Sequence, residues 1–174
     1  MNTQLFGSAD APNLFIVGPS GAGKHLFASQ RLVNSLAEGK SAVVFDCGRS
    51  YVGIAKSLGG TLVTVFNDGL HVERFGSLPL TVYEMESVRN PVALGKLGVP
   101  EPSEALFVLV DEAWQVSRRC PDLLGWLQKA SAAGASFCGV MQSMADFDTH
   151  ALPANTQILK VKNHTLVGAT PAQA

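Results

Sequence analysis

A glycine-rich string held between a strand and a helix leaves few folds open. Residues 18–25 read Gly18-Pro19-Ser20-Gly21-Ala22-Gly23-Lys24-His25, which fits GxxxxGK. Leu14–Val17 before it reads as a buried strand. From Gly23 to about Glu38 the pattern is helical, with an apolar stripe of Leu26, Val33, Leu36 and Ala37, and Gly39 is placed to end the helix. The glycines let successive backbone N–H groups face one centre, and the helix N-terminus also favours negative charge there. Gly18, Pro19, Ser20, Gly21, Ala22, Gly23, Lys24 and His25 are therefore the candidate phosphate cradle, with Lys24 reaching the β- and γ-phosphates of a nucleotide.

Position 25 departs from the usual pattern. Such loops carry Ser or Thr there, because a small hydroxyl ligates Mg²⁺ directly. His25 offers an imidazole nitrogen on a larger ring, and Mg²⁺ prefers oxygen in tight octahedral geometry. The metal is expected to bind weakly or through an added water.

Short apolar runs alternate with helix-like segments along the rest of the chain, the pattern of an α/β domain with a mainly parallel sheet. Strands are expected at Ala42–Phe45, Thr61–Phe66, Leu78–Tyr83, Leu106–Val110 and Ser136–Met141. One or two late strands are expected within Thr156–Val167. A helix over Tyr51–Leu58 stops at Gly59 and Gly60, and another follows Pro121 with Leu123, Leu127 and Ala130 on one face. Leu106–Val110, the most hydrophobic run, is expected beside Leu14–Val17. With 174 residues, the chain reads as one domain.

Leu106–Val110 ends in two carboxylates, Asp111 and Glu112. Asp111 is placed to hold the Mg²⁺ shell, and Glu112 to act as general base on an attacking water. Gln142 follows Ser136–Met141 at a strand end and is placed to orient water or sense the γ-phosphate.

Charge and cysteine content exclude several alternatives. Thirteen Lys and Arg against fourteen Asp and Glu give −1, so no global basic field holds nucleic acid. Hydrophobic residues at 47% and charged ones at 16% argue against disorder and hint at a surface covered by a partner. Cys47, Cys120 and Cys138 are odd in number and far apart, which reads as reduced thiols in cytosol rather than a disulfide or zinc scaffold. The longest apolar run, Ala105–Val110, is too short for a membrane span, and MNTQLFGSAD has no secretory pattern.

Three segments together resemble the motor ATPases of conjugative transfer and type IV secretion: NLFIVGPSGAGK at 13–24, FDCGRSYVGIAKSLGG at 45–60 and VLVDEAW at 108–114. Val82–Glu86, Gln142–Asp146 and Asn155–Lys160 resemble further stretches of that family. The resemblance implies a three-layer, RecA-like P-loop NTPase fold, with ATP and Mg²⁺ as cofactors. It also implies a hexameric assembly working with secretion or conjugation components, cytoplasmic and peripheral to the inner membrane through them. Besides His25, three features depart from the family. Ser131–Gly134 lacks the arginine that acts on a neighbour's nucleotide, and Met141 stands where Thr is usual. Glu86 also reaches Leu106 by a short link, without the family's helical insertion. These departures lead to an expectation of impaired hydrolysis. A non-hydrolysing nucleotide-binding assembly subunit and a DNA translocase or packaging motor remain as alternatives.

Among other residues, Arg49 is placed near the phosphate side, as a contact or as a solvated loop charge. Trp114 and Trp126 read as packing residues, and His71, His150 and His164 as surface residues.

Overall fold

Strand alternation decides the layers. In β1 (Asn13–Val17), Leu14 and Ile16 point to one face of the sheet and Phe15 to the other. In β6 (Leu106–Val110), Phe107 and Leu109 take the first face while Leu106, Val108 and Val110 take the second. Strands buried on both faces in this way need a helical layer on each side. Helices α1 (Lys24–Ala37) and α2 (Val52–Leu58) cover the first face through Ala28, Leu32 and Ala55. Helices α3 (Ala113–Arg119) and α4 (Leu123–Ala132) cover the second through Ala113, Val116, Leu123, Leu127 and Ala130.

The computed structural model describes residues 13–143 and 156–171, the last six as backbone only. Met144–Asp146, His150 and Asn155 lie outside the described residues. Seven strands run parallel: β1, β2 (Ser41–Asp46), β3 (Thr61–Val65), β5 (Leu80–Glu84), β6, β7 (Ser136–Met141) and β8 (Thr156–Lys162). The antiparallel edges are β4 (Leu70–Arg74) and β9 (Thr165–Pro171). The order is β4-β3-β5-β2-β6-β7-β1-β8-β9.

Two expectations are corrected here. β6 does not lie beside β1, because β7 runs between them and pairs with both. All six residues of β7 are buried, so its backbone groups need a strand on each side. The Phe15 ring lies over its register partner Gly139, where a Cβ would collide with it. The second correction concerns α1. Its buried residues are Lys24, Ala28, Leu32 and Ser35, whereas Leu26 and Val33 are 62% and 45% exposed. Lys24 sets the helix phase by facing the loop, and the small Ala28 and Ser35 let the helix sit close to the sheet. The sequence reading also missed β4, which Asn67-Asp68-Gly69 turns back against β3.

All three cysteines are free and buried. Burial pushes Cys47 and Cys138 up to about 12 and Cys120 up to about 11, so none is a ready nucleophile. Among the described residues no helix is long and apolar enough to cross a membrane.

Candidate functional site

The carboxyl ends of β1, β2, β5, β6 and β7 open on one edge of the sheet, and the candidate residues collect there. Gly18 continues β1, its N–H donating to the Met141 carbonyl of β7 (3.3 Å). The loop then turns through Gly21 (φ 73°) and Gly23 (φ 93°), a left-handed backbone that suits glycine. Ala22 N–H closes on the Pro19 carbonyl at 3.2 Å. Pro19, Ser20 and Gly21 are exposed, as a cradle open to ligand requires. No side chain caps the N-terminus of α1, which leaves its first N–H groups available to an anion. Lys24 is only 4% exposed, and its Nζ donates to the Pro19 carbonyl at 3.0 Å. A buried ammonium turned onto its own loop carbonyl is a cation without a charged partner in these bonds. The arrangement fits a polyphosphate.

His25 does something the sequence did not reveal. Its Nε2 stands 2.7 Å from Oδ2 of Asp111, which is fully buried at the end of β6. That hydrogen bond is the largest cause of a His25 pKa raised above the ordinary imidazole value. The other Asp111 oxygen, Oδ1, accepts the Glu112 N–H at 2.9 Å. The two positions expected to serve Mg²⁺ thus bond to each other, and position 25 brings no hydroxyl. These residues do not fit a directly ligated Mg²⁺, and among the described residues no group of three or more His, Cys, Asp or Glu is set to hold a metal.

Glu112 adopts a left-handed conformation (φ 48°, ψ 51°) as β6 gives way to α3. For a glutamate this backbone costs energy, of the order of 1–3 kcal/mol. The carboxylate is tethered, because the Trp114 indole N–H donates to its Oε2 at 3.0 Å. Trp114 also packs on the core and lies under the Arg118 guanidinium, 5.2 Å from the ring centroid. Packing was the role read for Trp114 from sequence. The missed signal is an indole donor two residues after a strand-end acid. Trp126 packs on the same core and, edge-on, against Phe45.

Gln142 follows β7 on the same edge and is exposed. Farther along lie two more buried acids. Asp46 accepts the Tyr51 N–H at Oδ2 (3.1 Å), and burial pushes it up to about 7. Glu84, its register partner on β5, accepts the Arg49 and Glu86 N–H groups at 2.8 and 2.7 Å and is also raised by burial. Arg49 therefore meets Glu84 through its backbone, at φ 59°, while the residue itself is exposed. His71 and His164 are exposed, as read from sequence. The backbone of His164 nevertheless reaches the loop, its N–H donating to the Ala22 carbonyl at 2.8 Å. The β8–β9 turn packs so closely there that a Cβ at Gly23 would strike the His164 ring, and one at Gly18 the Val161 carbonyl.

Residues 4–75 match the model of the TraG P-loop domain. Over that stretch, less than half of its length, the chain is similar to the TraG P-loop domain. The match bears out the resemblance to the conjugative-transfer ATPases over those residues, and the fold is its second support. The chain is similar in structure to VirB4 of Thermoanaerobacter pseudethanolicus, with a TM-score of 0.63 at 12% identity, covering 86% of this chain and 77% of that one. It is also similar to the genome packaging NTPase B204 from Sulfolobus turreted icosahedral virus 2, in complex with AMPPCP. That match has a TM-score of 0.52 at 18% identity, covering 88% of this chain and 75% of that one. At these identities the likeness establishes the fold, a three-layer P-loop NTPase of the RecA-like kind. No curated protein gives a significant match.

Proposed function

We propose that the chain is an ATP-binding P-loop component of a conjugation or type IV secretion apparatus, and that alone it hydrolyses ATP slowly or not at all. The observation that carries this reading is Lys24, buried beside an uncapped helix N-terminus and turned onto the Pro19 carbonyl. An arriving phosphate gives that ammonium a charged partner. Gly18 through Gly23 supply the backbone donors of the cradle. Glu112 accepts the proton of the attacking water, held in place by Trp114. Gln142, at the end of the strand beside β1, orients that water or contacts the γ-phosphate.

Slow turnover follows from what is missing. His25 is engaged with Asp111 rather than offering a hydroxyl. Ser131–Gly134 carries no arginine for a neighbour's nucleotide, and an arginine finger is worth about 10³–10⁵ in rate. The exposed Leu26 and Val33 on α1 support assembly, since a second copy would cover them. A ring, hexameric by family resemblance, located in the cytoplasm and held at the inner membrane by its partners, is the arrangement proposed. The His25–Asp111 pair specifically favours a second reading, a subunit that binds nucleotide as a switch or structural ligand and never hydrolyses it. A translocase acting on nucleic acid is less favoured by the net charge of −1.

The test is ATP binding by calorimetry beside phosphate release from the same preparation. Binding with little or no release supports the proposal, and brisk release by the isolated chain defeats it. Absence of ATP binding removes the nucleotide reading altogether.

A further inference from the structure

Asp111 is fully buried and both of its oxygens are engaged, Oδ2 with His25 Nε2 at 2.7 Å and Oδ1 with the Glu112 N–H at 2.9 Å. A P-loop that works through Mg²⁺ needs the opposite arrangement, with a hydroxyl at position 25 and a strand-end aspartate free to face the metal shell. Ser50 Oγ lies 3.5 Å from the same Nε2. It belongs to an exposed residue on another loop, and its contact is with the imidazole. The imidazole thus engages the carboxylate that was expected to face the metal shell. To seat Mg²⁺ here, the imidazole must give up its hydrogen bond to Asp111 Oδ2 and swing away.

We propose that this chain binds the ATP polyphosphate without help from magnesium, with the His25–Asp111 pair standing where the metal sits in a P-loop of the Ser or Thr kind. The proposal rests on the reading of Gly18–Lys24 as the phosphate cradle and deepens it by naming the ligand form, metal-free ATP as readily as its magnesium complex. Lys24 and the N–H groups of the loop carry the charge recognition, and none of these donors depends on a metal. The β8–β9 turn adds to this independence, because its His164 N–H on the Ala22 carbonyl holds the loop in shape with protein contacts alone.

The experiment is calorimetric titration of the full chain with ATP, once in excess Mg²⁺ and once in EDTA, at matched ionic strength. The expected dissociation constants agree to within about twofold, a difference small against the tenfold that corresponds to about 1.4 kcal/mol. His25→Thr restores the hydroxyl and releases Asp111, so its affinity should be at least about tenfold tighter in Mg²⁺ than in EDTA. Wild-type affinity that rises by about tenfold or more on adding Mg²⁺ overturns the proposal while leaving the nucleotide reading intact. Indifference to Mg²⁺ in a folded His25→Thr overturns it too, because the imidazole would not be what displaces the metal. Should that variant fail to fold, the wild-type pair of titrations decides alone. Absence of ATP binding in both solutions removes the cradle reading, and this proposal with it.

Discussion

Asp46→Asn should flatten the dependence of stability on pH by a calculable amount. Asp46 is fully buried at the end of β2 and spends one carboxylate oxygen on the Tyr51 N–H. Its Oδ1 is buried with no hydrogen-bond partner among the described residues. Burial is the main cause of its rise from 3.8 to about 7, and the nearby charges of Glu84 and Asp111 push the same way. Between those values the folded chain holds a proton that the unfolded chain has released. The stabilisation linked to this group is therefore complete below about 3.8 and is lost as pH rises to about 7. About three pKa units at roughly 1.4 kcal/mol each give on the order of 4 kcal/mol across that window. Asparagine is near in shape, accepts the Tyr51 N–H through its carbonyl, and carries no charge. Urea unfolding followed by the fluorescence of Trp114 and Trp126, from pH 4 to pH 8, measures the effect. Glu84 and His25, both also raised, tilt the wild-type curve in the same direction, so the quantity to read is the difference between variant and wild type. The variant should gain on wild type steadily from pH 4 to about pH 7 and then level off. Parallel curves would show that Asp46 carries no extra proton in the folded state, and the burial argument would fail.

Three further outcomes are expected. Lys24→Ala removes the one buried ammonium of the cradle, and ATP affinity should fall at least about tenfold, or about 1.4 kcal/mol, by calorimetry; an unchanged affinity speaks against the cradle. Trp114→Phe keeps an aromatic ring in the core but deletes the donor to Glu112, so any phosphate release should drop several-fold, by about 1 kcal/mol for one hydrogen bond, while ATP binding holds; loss of both together would mean a purely structural role. Gly139→Ala puts a methyl group into the Phe15 ring and should cost about 1–3 kcal/mol in urea unfolding, and a neutral result would displace β7 from its position beside β1.

Gly18–Lys24 and the strand-end acids Asp111 and Glu112 were legible because each is a local pattern, a glycine loop between strand and helix or carboxylates closing an apolar run. The strands themselves were legible for the same reason, except the solvent-facing β4, which lacks a buried pattern. Placement of β7 was not, since a fully apolar run such as Ser136–Met141 says that it is central without saying which strands flank it.

Composition and spacing alone determined an α/β chain with a phosphate loop, two acids and an anomalous histidine. Tertiary structure decided the rest. It turned Leu26 and Val33 outward, because the loop sets the phase of α1 through Lys24 before its apolar residues can choose a face. It joined Trp114 to Glu112 through a left-handed turn. It also brought His25 to Asp111 across 86 positions of sequence. Local patterns follow from backbone sterics and periodicity, which a short stretch of chain already contains. Which side chains meet depends on the order of strands in the sheet and the rotation of each helix upon it, and those are settled only when the whole core packs at once.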